Sequence, residues 1–361
     1  MFSTGDRLFM TRALRLAEKG LYTTTPNPRV GAVIVKEGRI VGEGWHEKAG
    51  ESHAEIHALN AAGASARGAT LYVTLEPCSH YGRTPPCADA VIDAGISRVV
   101  VAMQDPNPLV SGRGVERLEK AGISVACGLF EKEAWELNPG FVMRMTMGRP
   151  WVRLKIAASL DGKTALSNGA SQWITGESAR RDGHRLRARS CAVLTGMGTV
   201  RSDDPRLDAR DVETSRQPLK IVLDSKLRLT GKEKLFRGKT IVVTASRDAG
   251  NKARLEDIGA EILVLPDGSG RVDIGQLMRE LGKRGINELL VEAGERVNGS
   301  FLKAGFVDEV FFYLAPHLIG SRAKGMFDFP ALENMEERFE MKIMDVRMVG
   351  KDLRIIGRPN V

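Results

Sequence analysis

The feature that most constrains the fold is a regular alternation of short apolar segments with segments of helical spacing. In the first half of the chain, this pattern predicts strands at 29–35, 69–75 and 98–103. Between them, the apolar spacing predicts helices at 53–62 and 86–94, the second followed by a glycine stop. Strands that alternate with helices are typical of a sheet with helices packed on its faces.

The alternation restarts after 146–150, which is the best candidate for a domain boundary. Further strands are predicted at 151–158, 192–195, 220–223, 240–243, 262–265, 288–292 and 309–314. No repeat relates the two halves. We therefore expect two different α/β domains, at 1–147 and 148–361, which suits a chain of 361 residues.

The charge and hydropathy of the chain limit its partners. No apolar run reaches the roughly 18 residues that a membrane-spanning helix needs, and the first 20 residues indicate an amphipathic helix rather than a signal peptide. We therefore expect a cytoplasmic protein that does not bind membranes. The net charge of +8 suits anionic partners. Because the basic residues are spread along the chain, phosphorylated small molecules are favoured over nucleic acid.

Four residues in the first half form a pattern typical of zinc deaminases: His53, Glu55, Cys78 and Cys87. One imidazole and two thiolates leave a fourth position on a tetrahedral zinc ion open for water, as a catalytic site requires. Zinc lowers the pKa of that water toward neutrality. Glu55, two residues after His53 at a predicted helix start, is placed to move the proton without binding the metal.

Other interpretations of these four residues remain open at this stage. Eight residues separate the two cysteines, where the more common form has two. A structural zinc site would need a fourth ligand, which His57 or His80 could supply, and would leave Glu55 without a role. The remaining cysteines, Cys127 and Cys191, are interpreted as small buried residues.

In the second half, two glycine-bearing turns follow predicted strands. Gly196-Met-Gly198 is a candidate for close approach of a phosphate, and the turn that starts at Gly294 leads into a predicted helix, where an anion would be favourable. The full Rossmann glycine pattern is absent because position 201 is Arg. Ordinary strand–helix turns remain an alternative.

Several longer motifs resemble the bifunctional deaminase–reductase family of riboflavin biosynthesis. On the deaminase side they are TTPNPRVGAVIV at 24–35, GWHEKAGESHAE at 44–55, TLEPCSHYGRTPPCA at 74–88 and DPNPLVSGRG at 105–114. The resemblance implies a three-layer α/β/α domain like that of cytidine deaminases. It also implies that this domain hydrolyses the ring amino group of a diaminopyrimidinone that carries ribose 5-phosphate.

The same resemblance suggests contacts for the deaminase substrate. Asn27 and His46 are similar to residues that contact the pyrimidine, and His80 and Arg83 are positioned to reach the ribose and its phosphate. A guanidinium such as that of Arg83 suits a phosphate. An exposed loop arginine and, for Asn27, a simple turn residue before proline are the alternatives.

The second half resembles the family's reductase domain at 154–165, 171–188, 195–210, 291–301 and 315–320. This implies a dihydrofolate-reductase-like α/β fold that uses NADPH to reduce a ribosyl to a ribityl side chain. The implied NADP contacts are Ala157, Trp173, Thr199, Asp203, Ser225, Gly294, Glu295, Arg296, Val297, Asn298, Gly299 and Ser300. The implied substrate contacts are Ser171, Arg187, Leu207, Arg210 and Glu292.

Physically, Arg187 and Arg210 suit a phosphate, and Glu292 suits a hydroxyl or a ring N–H. Lys155 and Asp161 lie in the same motifs but receive no role from the sequence. The resemblance further implies a homodimer or a higher homo-oligomer formed through the second domain. Which residue binds the 2′-phosphate of NADP is left open.

Three other functions are compatible with parts of the sequence. A nucleic-acid-editing deaminase fits the zinc motif and the positive charge, and it should bind polynucleotide in a salt-dependent way. A non-catalytic nucleotide-binding protein with a structural zinc is the second. The third retains only one of the two activities. The reductase-like motifs of the second half argue against the first, and the completeness of both motif sets argues against the third.

Overall fold

The computed structural model describes residues 2–79, 85–108 and 110–360. The chain divides into two compact units, Met1–Gly148 and Arg149–Val361. Both units are α/β, as predicted. No helix in the described part of the chain is long and apolar enough to cross a membrane.

The first unit is built on one sheet, which within the described residues has five strands in the order β2-β1-β3-β4-β5. The strands β1 and β2 form an antiparallel hairpin, β1 also pairs antiparallel with β3, and β3, β4 and β5 run parallel. The strands are β1 (Gly31–Lys36), β2 (Arg39–Trp45), β3 (Thr70–Val73), β4 (Arg98–Val101) and β5 (Ser124–Cys127). The helices are α1 (Thr4–Glu18), α2 (Ala54–Ala62), α3 (Cys87–Asp93), α4 (Arg113–Lys120), α5 (Glu131–Leu137) and α6 (Pro139–Met147).

The helix α1 is attached to this sheet by its first turn. Ser3 and Asp6 form a capping box that satisfies backbone N–H groups at the helix start. The buried Asp6 carboxylate also accepts hydrogen bonds from Tyr72 on β3 and Arg98 on β4. A Cβ atom on Gly31 would lie 2.0 Å from the carbonyl oxygen of Ala13, so only glycine lets α1 approach β1 this closely.

The second unit is built on a larger sheet, in which the described residues form nine strands in the order β10-β9-β8-β7-β11-β6-β12-β14-β13. Every neighbouring pair from β10 to β12 is parallel, and β14 and β13 add an antiparallel hairpin at one edge. Its strands are β6 (Trp151–Ser159), β7 (Ala192–Gly196), β8 (Leu219–Leu223), β9 (Thr240–Thr244), β10 (Glu261–Val264), β11 (Glu288–Val291), β12 (Glu309–Ala315), β13 (Met341–Val349) and β14 (Asp352–Pro359). Its helices are α7 (Glu177–Arg189), α8 (Met197–Asp203), α9 (Ala249–Asp257), α10 (Ile274–Lys283) and α11 (Glu295–Lys303).

The helix α6 and the hairpin β13–β14 are among the elements that were not predicted from the sequence. The sequence predicts a helix at 131–137 that ends at Asn138-Pro139-Gly140, and α5 does end there. A new helix, α6, begins at once, because Pro139 occupies the first helical position, where its missing N–H is not needed. The hairpin β13–β14 was also missed. The exposed positions of β13 carry both apolar and charged side chains. The sequence therefore does not show the alternation of apolar and polar residues that identifies a half-buried strand.

The cysteine predictions have different outcomes. Cys191 is buried as expected. The prediction for Cys127 was wrong, because its side chain is exposed. Cys127 ends β5, which is the edge strand of the first sheet, so the apolar residues before it do not imply burial of its own side chain.

A buried ionic network joins the central strands of the second unit. Arg153 on β6 is only 2% exposed and contacts Glu288 on β11 and Glu309 on β12, the latter at 2.7 Å. Arg189 and Arg358 complete the network at 2.9 Å from Glu288 and 3.0 Å from Glu309. Although burial opposes it, the two carboxylates raise the pKa of Arg153. The network therefore fixes the register of three parallel strands.

Replacing Arg153 with alanine should destabilise the second unit by about 3–5 kcal/mol, because two carboxylates would lose a buried partner. Urea unfolding followed by tryptophan fluorescence measures this change. The matched control is Arg347→Ala, which removes an exposed arginine paired with Asp345 and should cost no more than about 1 kcal/mol. Equal losses in the two variants would show that the network does not set stability.

Candidate active sites

The three metal-ligand side chains predicted in the first unit come together. His53 is the residue at the N-cap position of α2, Cys78 lies in the loop after β3, and Cys87 is the first residue of α3. The Nδ1 atom of His53 is 3.2 Å from Sγ of Cys87 and 3.7 Å from Sγ of Cys78. In a tetrahedral zinc site, nitrogen and sulfur ligands would be about 3.6 Å apart. The donor set and its spacing fit zinc.

Cys78 has the electrostatic environment of a metal ligand. Its sulfur accepts a hydrogen bond from the backbone N–H of Cys87 at 3.3 Å. The hydrogen bond from the Cys87 thiol, together with that from His53, lowers the pKa of Cys78 to about 4 in spite of burial. A thiolate, the form that binds metals, is therefore favoured at this position.

Glu55 lies in the first turn of α2, one residue beyond Ala54, as predicted. It is 3% exposed, and its Oε2 atom has no hydrogen-bond partner among the described residues. Burial raises the pKa of Glu55 to about 7. A carboxyl group in this state is suited both to accept and to donate a proton near neutral pH.

The alternative of a structural zinc site needs a fourth protein ligand. Within the described residues, the cluster of candidate metal ligands contains His53, Cys78 and Cys87 and does not include His57. His80, the other residue considered, lies outside the described part of the chain, as does Arg83. The observed cluster thus has the three-ligand composition of catalytic zinc sites.

Asn27 and His46 lie beside this cluster. The imidazole rings of His46 and His53 are in edge contact, with centroids 5.3 Å apart. Nδ1 of His46 is 3.0 Å from the carbonyl oxygen of Ser52, so it carries the proton and donates. Nε2 then accepts from the amide nitrogen of Asn27 at 3.0 Å, which fixes the orientation of the Asn27 side chain.

Glu76, which received no role from the sequence, holds the loop that carries Cys78. Its buried carboxylate accepts four backbone N–H groups, from Asp105, Gly112, Gly114 and Val115, at 2.8–3.2 Å. A Cβ atom on Gly114 would lie 2.0 Å from the carbonyl oxygen of Pro77. The segment after β4 is therefore held tightly against the residue that precedes Cys78. In the sequence, the only indication of this role was an acidic residue two positions before Cys78, in the motif Glu76-Pro-Cys78.

Replacing Glu76 with glutamine should weaken zinc binding about tenfold or more, because an amide N–H₂ would face backbone donors and the Cys78 loop would shift. Competition with a chromophoric zinc chelator measures the affinity. Glu131→Gln, which changes an exposed glutamate in the first turn of α5, is the control. An unchanged zinc affinity in Glu76→Gln would show that the carboxylate does not position the ligand loop.

In the second unit, the carboxyl ends of the parallel strands open into a cavity of about 2430 Å³. This exceeds the roughly 300–1,000 Å³ of ordinary small-molecule pockets and can hold a dinucleotide together with a second ligand. The cavity is lined by most of the residues expected to contact NADP or substrate: Ala157, Ser171, Trp173, Arg187, Thr199, Asp203, Leu207, Arg210, Ser225, Glu292, Gly294, Glu295, Arg296, Val297 and Ser300.

The stretch 294–300 differs from its prediction in conformation. It was expected to be a turn, but Gly294 is the N-cap of α11, and the following residues are helical. Asn298 and Gly299 are not among the described cavity-lining residues. Asn298 is buried and donates to the carbonyl oxygen of Met326, and a Cβ atom on Gly299 would lie 2.0 Å from the carbonyl oxygen of Asp328.

A charged cluster stands in the wall of the cavity. Arg187 binds Glu292 through two hydrogen bonds of 2.5 and 2.9 Å, and Nζ of Lys155 is 3.7 Å from the same carboxylate. Burial opposes ionisation, but the charges of Arg187 and Lys155 hold the pKa of Glu292 at about 2. Burial lowers the pKa of Lys155. Arg187, which was expected to suit a phosphate, is thus already paired with Glu292. Lys155, which received no role from the sequence, lies beside the same carboxylate.

The other predicted substrate residues also have protein partners. Arg210 contacts the side chain of Asp208, and its backbone N–H donates to Nδ1 of His184 at 3.1 Å. The hydroxyl of Ser171 donates to Asp203 at 3.0 Å. The hydrogen bond between Ser171 and Asp203 therefore joins a residue expected to contact the substrate with one expected to contact NADP.

Asp161, which had no role from the sequence, shapes the rim of the second unit's sheet. Its carboxylate accepts from the backbone N–H groups of Ile319 and Gly320 and from the hydroxyl of Ser159. The hydrogen bond from Ser159 and those from the backbone lower its pKa to about 2. Asp161 therefore joins the turn after β6 to the loop after β12.

Comparison with known families agrees with both sites. The family described as the cytidine and deoxycytidylate deaminase zinc-binding region matches residues 3–103. The family described as the RibD C-terminal domain matches residues 150–355. The fold and the two sites thus define a two-domain enzyme with a zinc-dependent deaminase unit and a reductase unit.

Relatives of this architecture are similar over almost their whole length. The riboflavin biosynthesis protein RibD of Escherichia coli is 49% identical, with 98% of this chain and 99% of that protein covered. Among solved structures, Acinetobacter baumannii RibD has a TM-score of 0.92 at 44% identity, and the Thermotoga maritima deaminase/reductase has 0.88 at 38%. Each covers 99% of both chains.

The chain belongs to the RibD family of bifunctional riboflavin biosynthesis enzymes. The predicted fold class and the predicted pair of activities, a hydrolytic deaminase and an NADP-dependent reductase, are confirmed, and so are the cofactors, zinc and NADPH. The three alternative functions do not account for this full-length similarity.

Proposed function

We propose that the first unit deaminates 2,5-diamino-6-ribosylamino-4(3H)-pyrimidinone 5′-phosphate to 5-amino-6-(5-phosphoribosylamino)uracil. The observation that carries this proposal is the buried Glu55 carboxylate, with one oxygen unpartnered, beside three side chains spaced for zinc. Bound zinc supplies an activated water. Glu55 would move one proton of that water to the ring nitrogen and the second to the amino group, which leaves as ammonia while the water oxygen becomes the ring carbonyl.

The neighbouring side chains are proposed to recognise the substrate. Asn27, oriented by His46, presents its amide to the pyrimidine edge, where a fixed donor and acceptor select one arrangement of ring atoms. We further propose His80 and Arg83 as contacts of the ribose and phosphate, on the basis of the sequence resemblance alone. Free phosphorylated pyrimidines, and not polynucleotides, are the proposed substrates, and the cytoplasm is the proposed location.

For the second unit, we propose that the deaminated compound and NADPH bind together in the large cavity. NADPH supplies the hydride that converts the ribosyl group to a ribityl chain. Glu292, kept ionised by Arg187 and Lys155, accepts hydrogen bonds from the substrate, and Lys155 is available to donate to the ribose oxygen that gains charge. Ser171, Leu207 and Arg210 are proposed to complete the substrate side.

The coupled order of the two reactions can be tested through Glu55→Gln. The wild-type enzyme should oxidise NADPH, followed by its absorbance, with either the diaminopyrimidinone or the already deaminated compound. The variant should oxidise NADPH only with the deaminated compound, because loss of the proton carrier slows deamination by about 10²–10⁴-fold. Its zinc content should equal that of the wild type.

Glu51→Gln, which alters an exposed glutamate near the same helix, is the control and should leave both reactions intact. Deamination at the wild-type rate by Glu55→Gln would show that another group moves the proton. If the wild-type enzyme reduces neither compound, the proposed reductase substrate is wrong.

We also propose that two copies of the chain associate through the second unit. The strand β13 is the edge of its sheet, and within the described residues only β14 pairs with it. It exposes Ile343 (54%), Val346 (56%) and Met348 (61%). An edge strand with exposed apolar side chains is an unstable surface unless another chain covers it, and a second copy of the same edge would bury it symmetrically.

Replacing Val346 and Met348 together with lysine should convert a dimer to a monomer, because four like charges would face one another across the two-fold axis. Light scattering after size exclusion gives the mass. Leu318→Lys, at an exposed loop position, should leave the mass unchanged. A monomeric wild-type protein, or a dimer that survives the double substitution, would rule out this edge as the interface.

A further inference from the structure

Two of the proposed substrate contacts, Leu207 and Arg210, lie on a loop whose backbone needs support from outside. The segment from Asp204 to Asp211 is part of the connection between α8 and β8. Leu207 has a φ of 55°, in the left-handed region that leucine rarely adopts, and Asp204 and Asp211 have φ values of 41° and 58°. A backbone of this kind persists only where surrounding contacts impose it.

The helix α7 supplies two of these contacts. The backbone N–H of Arg210 donates to Nδ1 of His184 at 3.1 Å. The guanidinium of Arg187 donates to the carbonyl oxygen of Asp208 at 3.2 Å. His184 and Arg187 are three residues apart, so they lie on the same side of the helix. The helix thus offers one acceptor and one donor to the loop, and Gln217 binds the backbone of the residue between the two contacts.

The hydrogen bond from Arg210 defines the protonation state of His184. A backbone N–H can only donate, so Nδ1 is unprotonated and the neutral ring carries its proton on Nε2. The ring is 8% exposed, and a guanidinium nitrogen of Arg187 is 3.5 Å from Nδ1. Burial lowers the pKa of His184, and the charges of Arg187 and Arg210 lower it further.

The charged groups around His184 come from several elements. Besides Arg187 and Arg210, the carboxylates of Glu292 and Asp211 act on the ring and favour its protonated form. Glu292 is itself bound by Arg187 and by Lys155 on β6. Because burial and the two arginines outweigh the carboxylates, the ring is neutral at pH 7 and the hydrogen bond to the loop is intact.

We propose that His184 is a positioning residue for the reductase substrate, whose unprotonated Nδ1 holds the loop that presents Leu207 and Arg210 to the cavity. All three residues line that cavity. A proton on Nδ1 would make it a second donor facing the backbone N–H of Arg210, and the contact would be lost. The contact is therefore present above the pKa of His184 and disappears as the pH falls through it. The inference rests on the proposed substrate contacts, but its first test needs no substrate.

The tautomer of His184 can be read by NMR of the full-length enzyme labelled with ¹⁵N-histidine, since the chain has six histidines. The signal that is missing from His184→Asn identifies the residue. At neutral pH, His184 should carry its proton on Nε2. A proton on Nδ1 would overturn the proposal, whatever the substrate of the reductase. The same spectra give the pH at which His184 becomes protonated.

The kinetic test compares two substitutions of His184. Asparagine places an acceptor oxygen near the position of Nδ1 and does not titrate, whereas phenylalanine fills the ring volume without an acceptor. With saturating NADPH, His184→Phe should raise the KM for the deaminated compound about tenfold at every pH, because a buried N–H loses its acceptor, and should change kcat less.

The pH dependence separates His184 from the substrate. In the wild type, KM should rise as the pH falls through the titration seen by NMR. In His184→Asn the rise should be smaller, because only the substrate phosphate, which gains a proton near about pH 6, still titrates. The Kd for NADPH should be unchanged in every variant, which distinguishes a local effect from unfolding of the second unit.

His317→Asn is the matched control, because His317 is exposed and is not among the described residues that line the cavity. It should keep the wild-type KM and pH profile. A wild-type KM in His184→Phe, or a wild-type pH profile in His184→Asn, would overturn the proposal. If NMR shows the Nε2 tautomer but the wild-type enzyme does not reduce the deaminated compound, the proposed substrate is refuted and not the hydrogen bond of His184.

Discussion

The reductase site depends on the buried contacts of Arg153 with Glu288 and Glu309. These contacts lie at the start of β11 and β12 and fix both strands against β6. Side chains on a strand alternate, so residues two and four positions after Arg153 share its face. They are Lys155 and Ala157, and both line the cavity. Glu292 lies four positions after Glu288 by the same rule. A charge network at one end of the sheet thereby sets which side chains meet at the other.

Three carboxylates share one function in this fold. Glu76, Asp161 and Asp224 each follow a strand by a few residues and accept backbone N–H groups from a loop. A loop would otherwise leave these donors to water, and its conformation would be free. When one buried or low-pKa carboxylate accepts two to four of these backbone N–H groups, the loop is held in a single conformation. Functional residues in such a loop, such as Cys78 beside Glu76, are therefore held in a defined position.

The sequence predicted those features that depend on local pattern. The zinc cluster was predictable because His53, Cys78 and Cys87 are chemically distinctive and few, and the buried parallel strands because their apolar runs are continuous. The helix α6 was missed because Pro139 serves equally well as a helix stop and as a helix start. Exposure of Cys127 depends on β5 being an edge strand, which is a property of strand order and not of the residues near Cys127.

The charged residues of the reductase site show the same limit of sequence-based prediction more clearly. From the sequence, Arg187 was expected to be available for a phosphate, yet it is paired with Glu292, which lies 105 residues away along the chain. Pairing across such a distance leaves no trace in local spacing. A net charge of +8 therefore does not say where an anion binds, because cations such as Arg187 and Arg210 are paired with carboxylates in the folded chain. What attracts an anion is a cation that the fold has left without a carboxylate, and only the three-dimensional structure identifies it.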